Sequence, residues 1–244
     1  MDILYQDDVL LAVNKPSGLL VHRGWGRDAT ALVDLVREAL GVPVVHPLHR
    51  LDRQTSGVVL FALHAELAAK MSSAFENQAV EKRYLALVRG VVPDEGRIDH
   101  PIPRREDGPR VPAVTEYRWV AEAATRPRHV SLVEATPRTG RLHQVRRHLK
   151  HIDHPVIGDA NYGKGAINRE MAARYDLNRL ALHAVSLTLR HPVSGTDVTV
   201  RAPLPPDLRT PLARMGMEGH LAIAESGERD PPEVSSGGGR ASGL

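Results

Sequence analysis

The stretch His49-Arg50-Leu51-Asp52-Arg53-Gln54-Thr55-Ser56-Gly57 runs directly into Val58-Val59-Leu60-Phe61-Ala62. The second half is a short unbroken apolar run, which predicts a buried strand over 58–62. The first half is polar, ends in the turn formers Thr-Ser-Gly, and sets one carboxylate between two arginines. A charged loop that enters a rigid strand is where function concentrates. Taken locally, Asp52 has two explanations. One is a turn residue paired with arginine on the surface, which is the commoner case. The other is an ionised carboxylate in a cleft, held charged by a neighbouring Arg and available as nucleophile or base. The rest of the chain has to decide.

Working outward, residues 10–14 (LLAVN) read as a strand closed by the turn Asn14-Lys15-Pro16-Ser17-Gly18. Thr30 is placed to cap a helix to residue 39, with Gly41 past its end. Residues 66–78 read as a helix, since Leu67, Met71 and Phe75 recur at i, i+4, i+8. Further strands are expected at 83–89, 113–120, 130–135, 186–190 and 197–202. Strands outnumber helices and few strand–helix–strand units recur. This favours an α+β fold with a mixed or antiparallel sheet over a doubly wound parallel one.

Composition narrows the chemistry. The 244 residues include no cysteine, so disulfides, thiolate zinc sites, iron–sulfur clusters and a Cys nucleophile are excluded. No apolar run has the length needed to cross a bilayer, and the first residues MDILYQDD do not form a signal peptide. The expected location is the cytoplasm. The net charge is +3, but residues 216–244 hold five acids and two bases, leaving +6 on residues 1–215. A basic body with an acidic end suits a polyanionic partner. The Gly/Ser/Pro/Glu-rich stretch 216–244 is expected to be a disordered tail, and 1–215 a single folded domain.

Residues 138–151 carry five Lys/Arg, three His and no acid. Leu142, Val145 and Leu149 fall at i, i+3, i+7, which predicts a helix with one buried stripe. A solvated face would intersperse acids among its bases, so this segment points to RNA or DNA phosphates. His148, His151 and His154 are spaced i, i+3, i+6 without a carboxylate ligand and among cations, a poor metal site. Lys15 has nothing in its flanks that implies burial. Tyr84, which opens a strand, reads as a core residue whose hydroxyl finds a partner.

Together, three segments resemble the RluA-type pseudouridine synthases. They are His49-Arg50-Leu51-Asp52 with Thr55-Ser56-Gly57, Lys82-Arg83-Tyr84, and Thr139-Gly140-Arg141 with His143-Gln144-Val145-Arg146. Asn14–Gly18, His154–Asp159, Ala181–Ala184 and His191-Pro192 agree in order, so the resemblance covers roughly residues 2–205. It implies a central, largely antiparallel, bisected sheet flanked by helices and loops, and catalysis without metal or organic cofactor. It matches Asp52 to the catalytic Asp, Tyr84 to the Tyr that packs on the target uracil and moves a proton, and Arg146 to the partner of Asp52. Arg50 matches an Arg that, in relatives, enters the space left by the flipped base. Arg141, His143 and Arg147 are further candidates for contact with RNA, as are Arg104, Arg105 and Arg110. Within the family, residues 3–8, 21–23, 146–149 and 178–183 resemble small members acting on uridine 65 of tRNA. The implied enzyme is a monomeric isomerase that flips its base. Asp52 would start the exchange by attack on sugar or base, or by taking the C2′ proton. Ribosomal RNA or another tRNA position as target, a non-catalytic RNA-binding protein, and an N-glycosidase releasing uracil are the alternatives.

Overall fold

Residues 56–62 form a strand in which every residue is buried. The reason is a layer on each side. Val58 and Leu60 pack with Leu10, Ala12 and Met71, whereas Val59 and Phe61 pack with Leu11, Val13, Leu32 and Val36. A strand covered on both faces has no polar side to alternate with, so it reads as an apolar run.

The computed structural model describes residues 1–23, 30–77, 79–103 and 108–227. In chain order these contain β1 (Asp2–Gln6), β2 (Leu10–Lys15), α1 (Leu32–Leu40), β3 (His46–Pro47), β4 (Ser56–Ala62), α2 (Ala65–Glu76), β5 (Glu81–Arg89), β6 (Glu95–Asp99), β7 (Ile102–Pro103), β8 (Arg110–Val111), β9 (Val114–Ala123), β10 (Val130–Pro137), α3 (Gln144–His151), α4 (Gly165–Tyr175), β11 (Leu182–Arg190), β12 (Asp197–Arg201), α5 (Pro206–Arg214) and α6 (Glu218–Ser226). The main sheet has the order β1-β2-β4-β11-β5-β10-β9-β6, with β3 on β4 and β12 on β11. Its ladders are antiparallel except that β11 runs parallel to β4. One edge of β11 meets β5. The other meets β4 at His183 and Ala184, then β12 from Ser186 onward. The sheet therefore forks at β11, giving the α+β, mostly antiparallel and bisected architecture.

The fork depends on Gly57. Its φ is 117°, and a Cβ there would lie 2.2 Å from the carbonyl oxygen of Ala184. Only a residue without a side chain lets β4 approach β11 so closely. Beside it, Arg179 Nη2 donates to Ser56 Oγ at 2.6 Å, and Ser56 lies 2.8 Å from His183 Nδ1. His183 Nε2 faces the Ala202 carbonyl at 3.1 Å, so this nitrogen carries the proton and Nδ1 accepts from Ser56. Burial holds the imidazole neutral, with its pKa lowered to about 4.

Several sequence expectations change here. Helix α1 begins after Ala31, whose amide donates to the Asp34 carboxylate at 3.0 Å, and Thr30 makes no cap. Gly41 terminates it in the left-handed region, as expected. Lys15 is fully buried. Its ammonium donates to the carbonyls of Pro16, Leu19 and Arg53 at 2.7–3.1 Å. Burial and the nearby Arg179 lower its pKa to about 7. The boundary expected at residue 216 is also wrong. Met217, Leu221 and Ala224 recur at i, i+4, i+7 and are at most 1% exposed, so α6 packs on the body. Glu225 fastens it by accepting from Arg209 at 2.5 Å and from the Leu204 amide at 2.6 Å. Residues 228–244, the rest of the expected tail, lie outside the described residues.

Candidate active site

The three motif segments meet at one cavity of about 470 Å³. The loop before β4 brings Arg50, Asp52 and Thr55, strand β5 brings Lys82 and Tyr84, and the approach to α3 brings Arg141, His143 and Arg146. Alternation along β5 explains the spacing of the second segment. Lys82 and Tyr84 point to the cavity face, and Arg83 points to the opposite face, where it pairs with Glu134.

Asp52 and Arg146, 94 residues apart in sequence, form an ion pair with Arg146 Nη1 2.9 Å from Asp52 Oδ2. The other side of the guanidinium is held by Asp159. Arg146 Nε donates to Asp159 Oδ2 at 2.7 Å and Nη2 to Oδ1 at 2.9 Å. This fork fixes the plane of Arg146 and leaves Nη1 aimed at Asp52. Asp159 is itself oriented by the amides of Asn161 and Tyr162 at 2.9 and 3.0 Å. Burial opposes its charge, but the bonds from Arg146 and Tyr162 hold its carboxyl below the usual range. Burial likewise opposes the charge on Arg146, and the two carboxylates outweigh it, raising its pKa. Asp159 is a site residue that the sequence reading missed. The usable signal was a Gly-Asp turn followed by two amides that an Asp side chain can accept.

The remaining candidates divide. Tyr84 lines the cavity, and burial plus the Asp52 charge raise its phenol pKa, so it stays neutral. His143 Nε2 lies 3.8 Å from Asp52 Oδ1, and its Nδ1 lies 3.0 Å from the Tyr162 hydroxyl. Burial lowers the His143 pKa despite Asp52. Arg50 and Arg141 are exposed at the cavity rim. Arg147 is not part of the cavity wall. Its Nε donates to the Tyr162 hydroxyl at 2.7 Å, and the guanidinium sits 5.6 Å from the Tyr162 ring. Thr55 Oγ1 is buried with no hydrogen-bond partner among the described residues.

The expected basic helix is also less open than its sequence implies. Arg146 and His148 are buried, with His148 bonded to Thr115 and the His100 carbonyl. Arg138 is neutralised by Glu116 and Glu81 at 2.7 and 3.3 Å. Leu142 precedes the helix and lines the cavity. Arg104 and Arg105 lie outside the described residues. Among the described residues, no group of three or more His, Asp or Glu is placed to hold a metal ion.

Comparison with known proteins bears on this geometry. A family model described as RNA pseudouridylate synthase matches residues 9–151. A tRNA pseudouridine synthase C of Haemophilus ducreyi is 44% identical over 223 residues, covering 83% of this chain and 90% of that one. Another, of Pectobacterium carotovorum, is 41% identical over 93% of this chain, which spans 65% of that protein's length. The solved structure of Human RNA Pseudouridylate Synthase Domain Containing 4 matches with a TM-score of 0.71 at 30% identity, over 88% of this chain and 93% of that one. The chain belongs to the RNA pseudouridylate synthase family, as an isomerase of uridine in RNA.

Proposed function

We propose that this chain converts uridine 65 of tRNA to pseudouridine, with Asp52 starting the exchange. The observation that carries the assignment of Asp52 is its carboxylate at the cavity, gripped from behind by an arginine that is itself locked by Asp159. The choice of tRNA is supported by the names of the curated relatives and by the resemblance of residues 3–8, 21–23, 146–149 and 178–183.

In this reading the uridine leaves its helix and enters the cavity, at a cost of a few kcal/mol recovered through phosphate contacts. Arg50, Arg141 and His143 at the cavity meet the RNA. Tyr84 stacks on the uracil. Asp52 acts on the nucleotide, the C1′–N1 bond breaks, the uracil turns, and a C1′–C5 bond forms. C5 loses its proton and N1 gains one. Arg146 keeps Asp52 anionic and aimed throughout.

The test uses tRNA carrying tritium at uridine C5. Stoichiometric release of tritium to water, without free uracil, and one new pseudouridine mapped to position 65 are the expected results. Release of uracil would make the protein a glycosidase. A pseudouridine elsewhere would keep the activity and overturn the position. The same reading has the enzyme acting as a monomer in the cytoplasm. No described helix is long and apolar enough to cross a membrane.

A further inference from the structure

A second concentration of positive charge lies away from the cavity, and the mechanism does not use it. The turn between β9 and β10 exposes Arg126, Arg128 and His129. Two adjoining depressions share this turn. One, of about 630 Å³, is completed by Lys164, Ile167, Glu170 and Arg174 of the α4 region. The other, of about 580 Å³, is completed by Arg89, Asp153 and His154. Five cations thus face two carboxylates. Glu170 is already engaged by Arg174 at 2.9 Å. Asp153 presents its backbone carbonyl to Arg89 at 3.0 Å. Arg126, Arg128 and Lys164 have no carboxylate within 4 Å among the described residues.

The place of this cluster is informative. Strand β10 begins at Val130, beside the turn, and ends at Pro137, which lines the cavity. At about 3.3 Å per residue the two ends stand roughly 23 Å apart. Helix α3 starts at the cavity and, after about 12 Å of axis, delivers the chain to Asp153 and His154 in the second cluster. Lys164 comes two residues after Tyr162, which touches His143 and Arg147. Cavity and cluster are therefore joined by continuous structure, at a spacing that a single flipped nucleotide cannot bridge and a folded RNA can.

We propose that Arg126, Arg128 and Lys164 form a second RNA contact, holding backbone phosphates of the substrate roughly 20 Å from the reacting uridine. The proposal rests on the reading of the chain as an enzyme that acts on structured RNA. Exposed cations without acid partners attract a polyanion and carry no base information. The depressions are lined by no Phe, Tyr or Trp and carry these five cations, which suits a phosphate backbone.

The test measures affinity against salt for two RNAs that the wild-type protein binds. One is full-length tRNA, and the other is a hairpin of about 20 nucleotides carrying the same uridine. The triple variant Arg126→Ala, Arg128→Ala, Lys164→Ala should bind full-length tRNA roughly tenfold more weakly, with the salt slope reduced by about 2. Its affinity for the hairpin should match wild type. The variant Arg126→Lys, Arg128→Lys keeps the charge and should keep the slope. An unchanged slope on full-length tRNA overturns the proposal. Equal losses on both RNAs overturn it as well, because they would place these residues at the cavity's own contact. If tritium is not released from tRNA by wild type, the proposed substrate fails on that measurement alone, whereas the slopes still judge the cluster.

Discussion

Two three-membered charge clusters flank β5 and are built as inverses. In one, Arg146 sits between two carboxylates, Asp159 and Asp52. In the other, Glu134 sits between two guanidiniums, Arg83 and Arg118, with the Ala224 carbonyl of α6 beside Arg83. Both centres are desolvated, and in both the partners hold the carboxyl of the inner acid below its usual range against the penalty of burial. They differ at the outer member. Asp52 is 21% exposed and opens on a cavity, whereas α6 is laid over Arg83. A buried charge is therefore no mark of chemistry by itself. The mark is a cluster whose rear is locked and whose front is left to a ligand.

The largest effect should come from the front of the open cluster. Asp52→Asn keeps the size and removes the carboxylate, so tritium release should fall at least a thousandfold while RNA affinity survives. Release within tenfold of wild type would break the distinction between the clusters. Next comes the centre. Arg146→Ala leaves Asp159, which has no exposed side-chain surface, without its partner, at a cost of about 3–5 kcal/mol in urea unfolding. Activity should be lost with it. Arg146→Lys restores a charge but not the fork, and should fold better than the alanine variant while remaining more than tenfold slower than wild type. Arg83→Ala should cost stability without touching the chemistry, because Arg118 still donates twice to Glu134.

A third experiment removes the cover of the closed cluster. Ending the chain after residue 216 deletes α6 and the burial of Leu221, worth about 2–3 kcal/mol alone. The midpoint of thermal unfolding should drop by roughly 5–10 °C. Ending it after residue 227 should change the midpoint by less than about 1 °C. The smallest effect is acid. A carboxyl with a lowered folded-state pKa stabilises above its unfolded value and loses that contribution as pH falls through the folded one. For Asp159 and Glu134 the loss should begin below about pH 4. Relative to wild type, Asp159→Asn and Glu134→Gln should each flatten the stability curve there. A curve left as steep in both variants would mean that neither cluster is the acid-sensitive element.

Much of the open cluster was legible because each of its motifs is local. Asp52 with Thr-Ser-Gly, Tyr84 after a basic pair, and Arg146 in a cationic helix each stand out without knowledge of the fold. Asp159 did not, since its meaning comes from an arginine 13 residues away and from amides that no pattern of side chains displays. Lys15 was misread for a similar reason: one of the carbonyls around its ammonium belongs to Arg53, 38 residues on. Helix α5 hides behind two prolines, one at its first position and one inside it. Helix α6 was lost by averaging nine ordered residues with the Gly/Ser-rich run that follows. Seven strands, β2, β4, β5, β9, β10, β11 and β12, were found because their apolar runs are short and bounded, with ends displaced by at most four residues, whereas β1, β3, β6, β7 and β8 were not expected.

The fork at β11 also sets the order of assembly. Ser56 and His183 are joined across 127 residues, and β11 must slide between β4 and β5, which lie near each other in sequence. Until that late strand arrives, the two halves of the sheet have no common edge and Leu182 cannot close its side of the cavity. Pairings of this range are slow because a long loop must close before any contact rewards it. A nascent chain stopped at residue 151 would carry the Asp, the Tyr and the Arg and still have no enclosed site. Enclosure of the site thus waits on β11, a strand that follows the Asp, the Tyr and the Arg in the chain.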